Sequence, residues 1–216
     1  MLRQGVHGYV DAHRRLLHMP SLTHSSSSTS ASLLRRVQAK DPAAWDRFAA
    51  IFAPLVYGWA CRGGLQGSDA EDIVQDVFRR VFVKIGTFQK QRLPGSLRRW
   101  LWVITRNRVR LFFRQRGSQI QATGGSEAAL QLAEVPDVWQ REEDPSTPGD
   151  QEALLHRALA LIRGDFSEDT WQAFWRLAVE GHAATAIGAD LHLSPSAVRQ
   201  AKYRVLCRLR EELSDE

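Results

Sequence analysis

Almost every stretch of this chain with a clear hydrophobic period repeats at the helical spacing, and no run alternates as a strand would. That restricts the fold to packed helices. Asp41-Pro42 marks a helix start, because the aspartate accepts from free first-turn amides and proline fits the first helical position. Leu33, Leu34 and Val37 form a short apolar stripe ahead of it. Trp45, Phe48 and Phe52 continue one behind it, with Pro54 predicted to kink the helix. Ser68-Asp69-Ala70-Glu71 has the form of a capping box. The helix it opens is expected to bury Ile73, Val77, Val81 and Ile85, widened by Phe78 and Phe82, and to stop at Gly86. After Pro94-Gly95, Ser96 can cap a third long helix that buries Leu97, Leu101, Ile104, Leu111 and Phe112 and ends at Gly117.

Residues 118–149, rich in Gln, Gly, Pro and acids, have no sustained period and read as a linker. Beyond it, Leu154, Leu155, Ala158, Leu159 and Ile162 give an amphipathic helix stopped by Gly164. Ser167 can cap the next, which holds Trp171, Phe174, Trp175 and Ala178 and stops by Gly181. A short helix around 183–191 follows, and Ser194-Pro195 starts the last, which runs to about Leu213. The expected fold class is all-α, with two small helical domains over 32–117 and 150–216 joined by a flexible acidic linker. Residues 1–31, with four His and a run of Ser, read as a disordered tail.

The distribution of charge says more than the net +5. From Val77 to Ser126 there are twelve Lys and Arg and no acid; from Glu127 to Glu152 there are eight acids and one base, Arg141. From Leu191 to Arg210 the acids vanish again, and Arg199, Lys202, Arg204, Arg208 and Arg210 are present. Two basic blocks around an acidic one suggest two anion-binding modules on a tether.

The only cysteines, Cys61 and Cys207, are far apart and have no His at ligand spacing, which argues against a disulfide framework or zinc site and fits a reducing cytoplasm. The longest apolar stretch, 49–60, falls short of the ~20 residues a bilayer needs, so no membrane span is expected. No phosphate loop, nucleophile set or metal-spaced cluster is present in the sequence. Neither an enzyme nor a resident cofactor is expected.

The last two helices have helix-turn-helix proportions, with a tight turn at 191–194. Ser196, Arg199, Gln200, Tyr203 and Arg204 would meet base edges in the major groove, while Ala197, Val198, Ala201 and Val205 face the core. The helix from Leu97 interleaves Arg98, Arg99, Arg106, Arg108, Arg110, Arg114 and Arg116 with Trp100, Trp102, Phe112 and Phe113. Such a pattern suits single-stranded nucleic acid, where Arg neutralises phosphate and aromatic faces stack on unpaired bases. The bland alternative, that these aromatics are core, weighs at least equally for Trp100 and Trp102. The mixed-charge helix with Asp69, Glu71, Asp72, Gln75, Asp76, Arg79 and Arg80 suits a protein partner or a plain solvated face.

Three segments resemble extracytoplasmic-function sigma factors of the sigma-70 family. DAEDIVQDVFRRVFVKIGTF (69–88) resembles region 2.2, SLRRWLWVITRNRVRLFFRQR (96–116) regions 2.3 and 2.4, and LHLSPSAVRQAKYRVLCRLREEL (191–213) region 4.2. The resemblance implies binding to core RNA polymerase, through its largest and second-largest subunits, with Asp72, Gln75, Asp76 and Arg79 docking on the clamp helices. It implies that Arg98, Arg99, Trp100, Arg106, Asn107 and Arg110 open and hold the minus-ten element as single strand, with the loop from Phe88 to Ser96 gripping a flipped base. Ser196, Arg199, Gln200, Lys202, Tyr203 and Arg204 would read the minus-thirty-five element as duplex, and an anti-sigma factor is a further candidate partner. Three positions depart from the family pattern: Leu111 and Thr185-Ala186, where acids are usual, and His192, where Gly is usual. A positive φ costs a non-glycine residue about 1 kcal/mol, so a remodelled turn is expected at His192. The rival function is a stand-alone helix-turn-helix regulator that binds duplex DNA without polymerase.

Overall fold

A computed structural model of the protein describes residues 32–89, 96–122, 139 and 147–213. The expected N-terminal tail and most of the expected linker lie outside the described residues. Among the described residues there are eight α-helices, two 3-10 turns and no strand. In chain order the helices are α1 (Leu33–Gln38), α2 (Pro42–Arg62), α3 (Ser68–Lys84), α4 (Ser96–Ala122), α5 (Pro148–Ile162), α6 (Glu168–Ala178), α7 (Ala184–Asp190) and α8 (Pro195–Glu212). The chain divides into two compact units, one of residues 34–154 and one drawn mainly from 155–214. The fold class is all-α.

In the first unit, α2, α3 and α4 pack on one another. Asp41 caps α2, accepting from the amides of Ala43 and Ala44 at 3.0 and 3.3 Å, and α2 runs through Pro54 as one helix to Arg62. The Arg36 guanidinium, hydrogen-bonded at 2.9 Å, and the Ala44 amide hold the Asp41 carboxyl below the usual carboxylate range. Ser68 does not cap α3. Gly67 takes that place at φ 53°, a left-handed backbone that glycine adopts freely, and no side chain caps the helix. Ile73, Val77, Val81 and Ile85 are buried as expected, with Ile85 in the 3-10 turn Ile85–Thr87 that also contains Gly86. Phe78 joins them, whereas Phe82 stays 44% exposed, edge-on to Trp45 and beneath the Lys40 ammonium.

The buried stripe of α4 follows four-residue steps through Leu97, Leu101, Thr105, Val109 and Phe113, with Trp102 and Ile104 beside it. Leu111 and Phe112, expected in the core, are rotated off that stripe and are only half-buried. Thr105 satisfies its buried hydroxyl by donating to the Leu101 carbonyl at 2.8 Å. Helix α4 also passes Gly117 and ends at Ala122, since one glycine costs a helix only about 1 kcal/mol.

The expected linker contributes to this core. Trp139 is fully buried and stacks on Trp102 with centroids 5.0 Å apart at 18°, and Trp102 meets Trp59 edge-on at 5.5 Å. The Trp139 indole N–H donates to the Gly63 carbonyl at 2.9 Å. Gly63 leaves the room for this: a Cβ there would stand 2.1 Å from the Trp139 ring. Next to it, Arg62 makes two bonds of 3.1 and 2.9 Å to the Asp150 carboxylate.

The second unit is built as its sequence suggests. Ser167 accepts from Thr170 N–H to cap α6, and Ser194 from Ala197 N–H at 3.1 Å to cap α8. Helix α8 packs on α6 and α7 around Ala173, Ile187, Val198 and Ala201. Buried Gly188 brings α7 against the turn, where a Cβ would lie 2.4 Å from the Leu193 carbonyl oxygen. His192 adopts φ 55°, so the left-handed turn is kept rather than remodelled.

Candidate nucleic-acid interface

Helix α8 buries one face and frees the other. Val198, Ala201 and Val205 are buried and Ala197 is half-buried, which turns Ser196, Arg199, Gln200, Tyr203 and Arg204 outward, with Lys202 half-buried at the edge. The Ser194 cap fixes where this row begins. Tyr203 follows Arg199 and Arg204 follows Gln200 at four-residue steps, and Gln200 and Tyr203 are three apart, so the four share a helix face. A hydrogen bond with the Cys207 thiol one turn on pushes the Tyr203 phenol above its ordinary value. Arg208 is different. It is bound to Asp165 at 2.9 Å, Glu211 at 3.4 Å and buried Glu212 at 2.5 Å, tying the end of α8 to the 3-10 turn Arg163–Asp165. Of the basic block 191–210, Arg208 is thus committed within the fold.

On α4, Arg99, Val103, Arg106, Arg110 and Arg114 follow one another at three- to four-residue steps along one face, with Asn107 four residues after Val103 beside them. Arg99, Val103, Asn107 and Arg114 are exposed, and Arg106 and Arg110 half-buried. Arg98 and Trp100 are half-buried as well, and the Trp100 ring packs on Phe88 at 5.0 Å. Trp102 and Phe113 are core, so only Trp100 and Phe112 of the four interleaved aromatics retain accessible surface.

The expected protein-docking residues on α3 are not equivalent. Asp72 and Gln75 are exposed. Asp76 is held by Arg79 at 2.8 Å and by Arg108 of α4, so it fastens α3 to α4. Arg79, Arg80, Val83, Lys84, Asp76 and Arg108 line a depression of about 330 Å³, with Val83 73% exposed beside it.

Residues 49–119 match the family described as Sigma-70 region 2. The ECF RNA polymerase sigma factor SigE of Mycolicibacterium smegmatis is 29% identical over 177 residues, covering 79% of this chain and 62% of that protein. The RNA polymerase sigma factor CarQ of Myxococcus xanthus is also 29% identical, over 80% of this chain and 92% of its own. The ECF RNA polymerase sigma factor RpoE of Cereibacter sphaeroides is 34% identical over 40% of this chain and 48% of its own. The chain is thus similar to RNA polymerase sigma factors over about four-fifths of its length, and to Sigma-70 region 2 over residues 49–119.

The matched region holds α3, nearly all of α4 and most of α2. It therefore contains both the acidic row and the basic-aromatic helix. Two contributions escape a reading of the sequence. Arg108 looks like one more base of the α4 row, yet its partner is Asp76 across the helix pair. Trp139 sits among polar and acidic residues, and an isolated tryptophan in such a setting is the one local signal that a buried partner exists. Among the described residues no helix is long and apolar enough to cross a membrane.

Proposed function

We propose that the protein is an initiation factor that directs core RNA polymerase to specific promoters and assists their opening, with the chemistry done by the polymerase. Residues 32–117 would act as region 2, binding core enzyme and the minus-ten element, and residues 150–216 as region 4, binding the minus-thirty-five element. The single observation that carries this reading is a region 2 match whose α4 presents Arg99, Arg106, Asn107 and Arg110 along one face. A second outward row on α8, Ser196, Arg199, Gln200, Tyr203 and Arg204, supports duplex readout in the major groove. Lys202, at the edge of the α8 row, would add a phosphate contact to that duplex, while single-strand capture would use Arg98, Arg99, Trp100, Arg106, Asn107 and Arg110. The largest and second-largest polymerase subunits are the proposed core contacts, an anti-sigma factor is a further proposed partner, and the cytoplasm is the proposed compartment.

The test is co-elution of the full chain with active core polymerase. Asp72→Lys reverses a charge and Gln75→Lys adds one on the exposed part of the α3 row, and both leave the Asp76 clasp intact. Loss of the complex in these variants maps docking to α3. Absence of any complex with the unaltered chain overturns the proposal in favour of the stand-alone regulator.

A further inference from the structure

We infer that Gln38 is a positioning residue for single-strand capture, acting through Phe88 and Trp100; the inference rests on the proposed role of α4. Gln38 lies on α1, ahead of the region matched to the family, and its side chain reaches across to the far end of α3. Its amide nitrogen donates to the Ile85 carbonyl at 3.1 Å and to the Phe88 carbonyl at 2.8 Å. A glutamine amide has two N–H donors, and both are used here on backbone acceptors.

The geometry around these bonds explains what they fix. Phe88 leaves the 3-10 turn in an extended conformation, φ −67° and ψ 124°, with its own N–H bonded to Ile85 at 3.1 Å. Its carbonyl is held by Gln38, a residue fifty positions away in the sequence. Two residues on from Gln38, Lys40 takes φ 62°, donates to the Phe82 carbonyl and stands 3.8 Å over the Phe82 ring. The turn after α1 therefore grips the last turns of α3 and the first extended residue beyond them.

Phe88, so held, places its ring 5.0 Å from Trp100 at 45°. Trp100 neighbours exposed Arg99 at the start of the basic-aromatic helix. An unpaired base gains most from an aromatic surface that is already fixed, because ordering a mobile ring on binding offsets part of the stacking. Gln38 supplies that order from a third helix, without touching the strand.

The experiment uses the full chain assembled with core polymerase and forked DNA carrying a randomised single-stranded arm, against the blunt duplex of the same length. The readout is the ratio of the two affinities. Gln38→Leu keeps the size and removes both donors, and is expected to lower that ratio about fivefold. In a Trp100→Ala background the same change is expected to have no further effect. Phe88→Leu, which leaves Gln38 untouched, is expected to reproduce the loss, and it serves as the test if Gln38→Leu fails to fold. A ratio unchanged by Gln38→Leu, or a loss that adds in full to that of Trp100→Ala, overturns the inference while the role of α4 stands. An unaltered complex that shows no preference for the forked DNA overturns the α4 reading and this inference together.

Discussion

The two units differ in how part of each core is closed. In the unit of residues 34–154, three indoles from distant points of the chain meet, Trp139 stacked on Trp102 and Trp59 edge-on to it, and an aromatic run from Trp45 through Phe48 to Phe52 lies along α2. In the unit of 155–214, the centre around α8 is Ala173, Ile187, Val198 and Ala201, and Gly188 lets backbone approach backbone. Large rings bury much apolar area per residue but must be assembled from long-range contacts, while small residues allow close helix packing with partners nearby in sequence. The first unit thus depends on a residue that its helices alone do not supply. The second depends on what is missing from one residue, a Cβ.

The largest effect is expected from breaking the aromatic side of this contrast. Trp139→Ala should cost the unit of 34–154 about 3–5 kcal/mol through loss of a buried indole. Hydrogen exchange should rise in α2 and α4 with α6–α8 unaffected; equal protection throughout would show that Trp139 is not part of that core. The matching change on the other side is Gly188→Ala, whose Cβ meets the Leu193 carbonyl oxygen rather than a flexible side chain. It is expected to cost about 1–3 kcal/mol, read as loss of unfolding stability together with loss of duplex binding.

Function sharpens the same contrast. Arg199→Ala is expected to relax sequence preference at one duplex position by about 1–3 kcal/mol and leave stability alone. A reduced salt slope with unchanged sequence preference would instead assign Arg199 to phosphate. His192→Gly should stabilise the turn by less than about 1 kcal/mol, since relief of the left-handed strain is partly offset by the greater freedom of glycine in the unfolded chain. A chemical-denaturation midpoint no higher than that of the unaltered protein would rule out stored strain at that turn.

The smallest effect is on the acid side. Burial works to raise the Asp150 carboxyl, but the Thr147 amide and hydroxyl and the Arg62 guanidinium outweigh it and hold it below its ordinary 3.8. A lowered carboxylate stabilises the fold fully above that value, and the contribution is lost as pH falls further through the folded value. Asp150→Asn should therefore flatten the fall in stability of the unit of 34–154 below pH about 4. An unchanged slope in a pH series of denaturant melts would remove Asp150 from the account.

The sequence by itself determined the helices and most of their caps. Asp41, Ser167 and Ser194 accept from first-turn amides, and the outward row of α8 follows once Val198, Ala201 and Val205 are taken as core. These features are local: a cap acts within three residues, and a helical face is fixed by spacing of three and four. It also carried the three motifs by which the family is resembled. Tertiary structure decided the rest. Gly67 replaced Ser68 at the capping position before α3 because the incoming chain turns through a left-handed backbone. Val109 and Phe113 were chosen over Leu111 and Phe112 because α4 must present one continuous stripe to α2 and α3. Asp76 was drawn to Arg108, Gln38 to the end of α3, and Trp139 to Gly63, each across more than thirty residues. No local period encodes such pairings, because they follow from where packed helices bring a donor and an acceptor, or two rings, into reach.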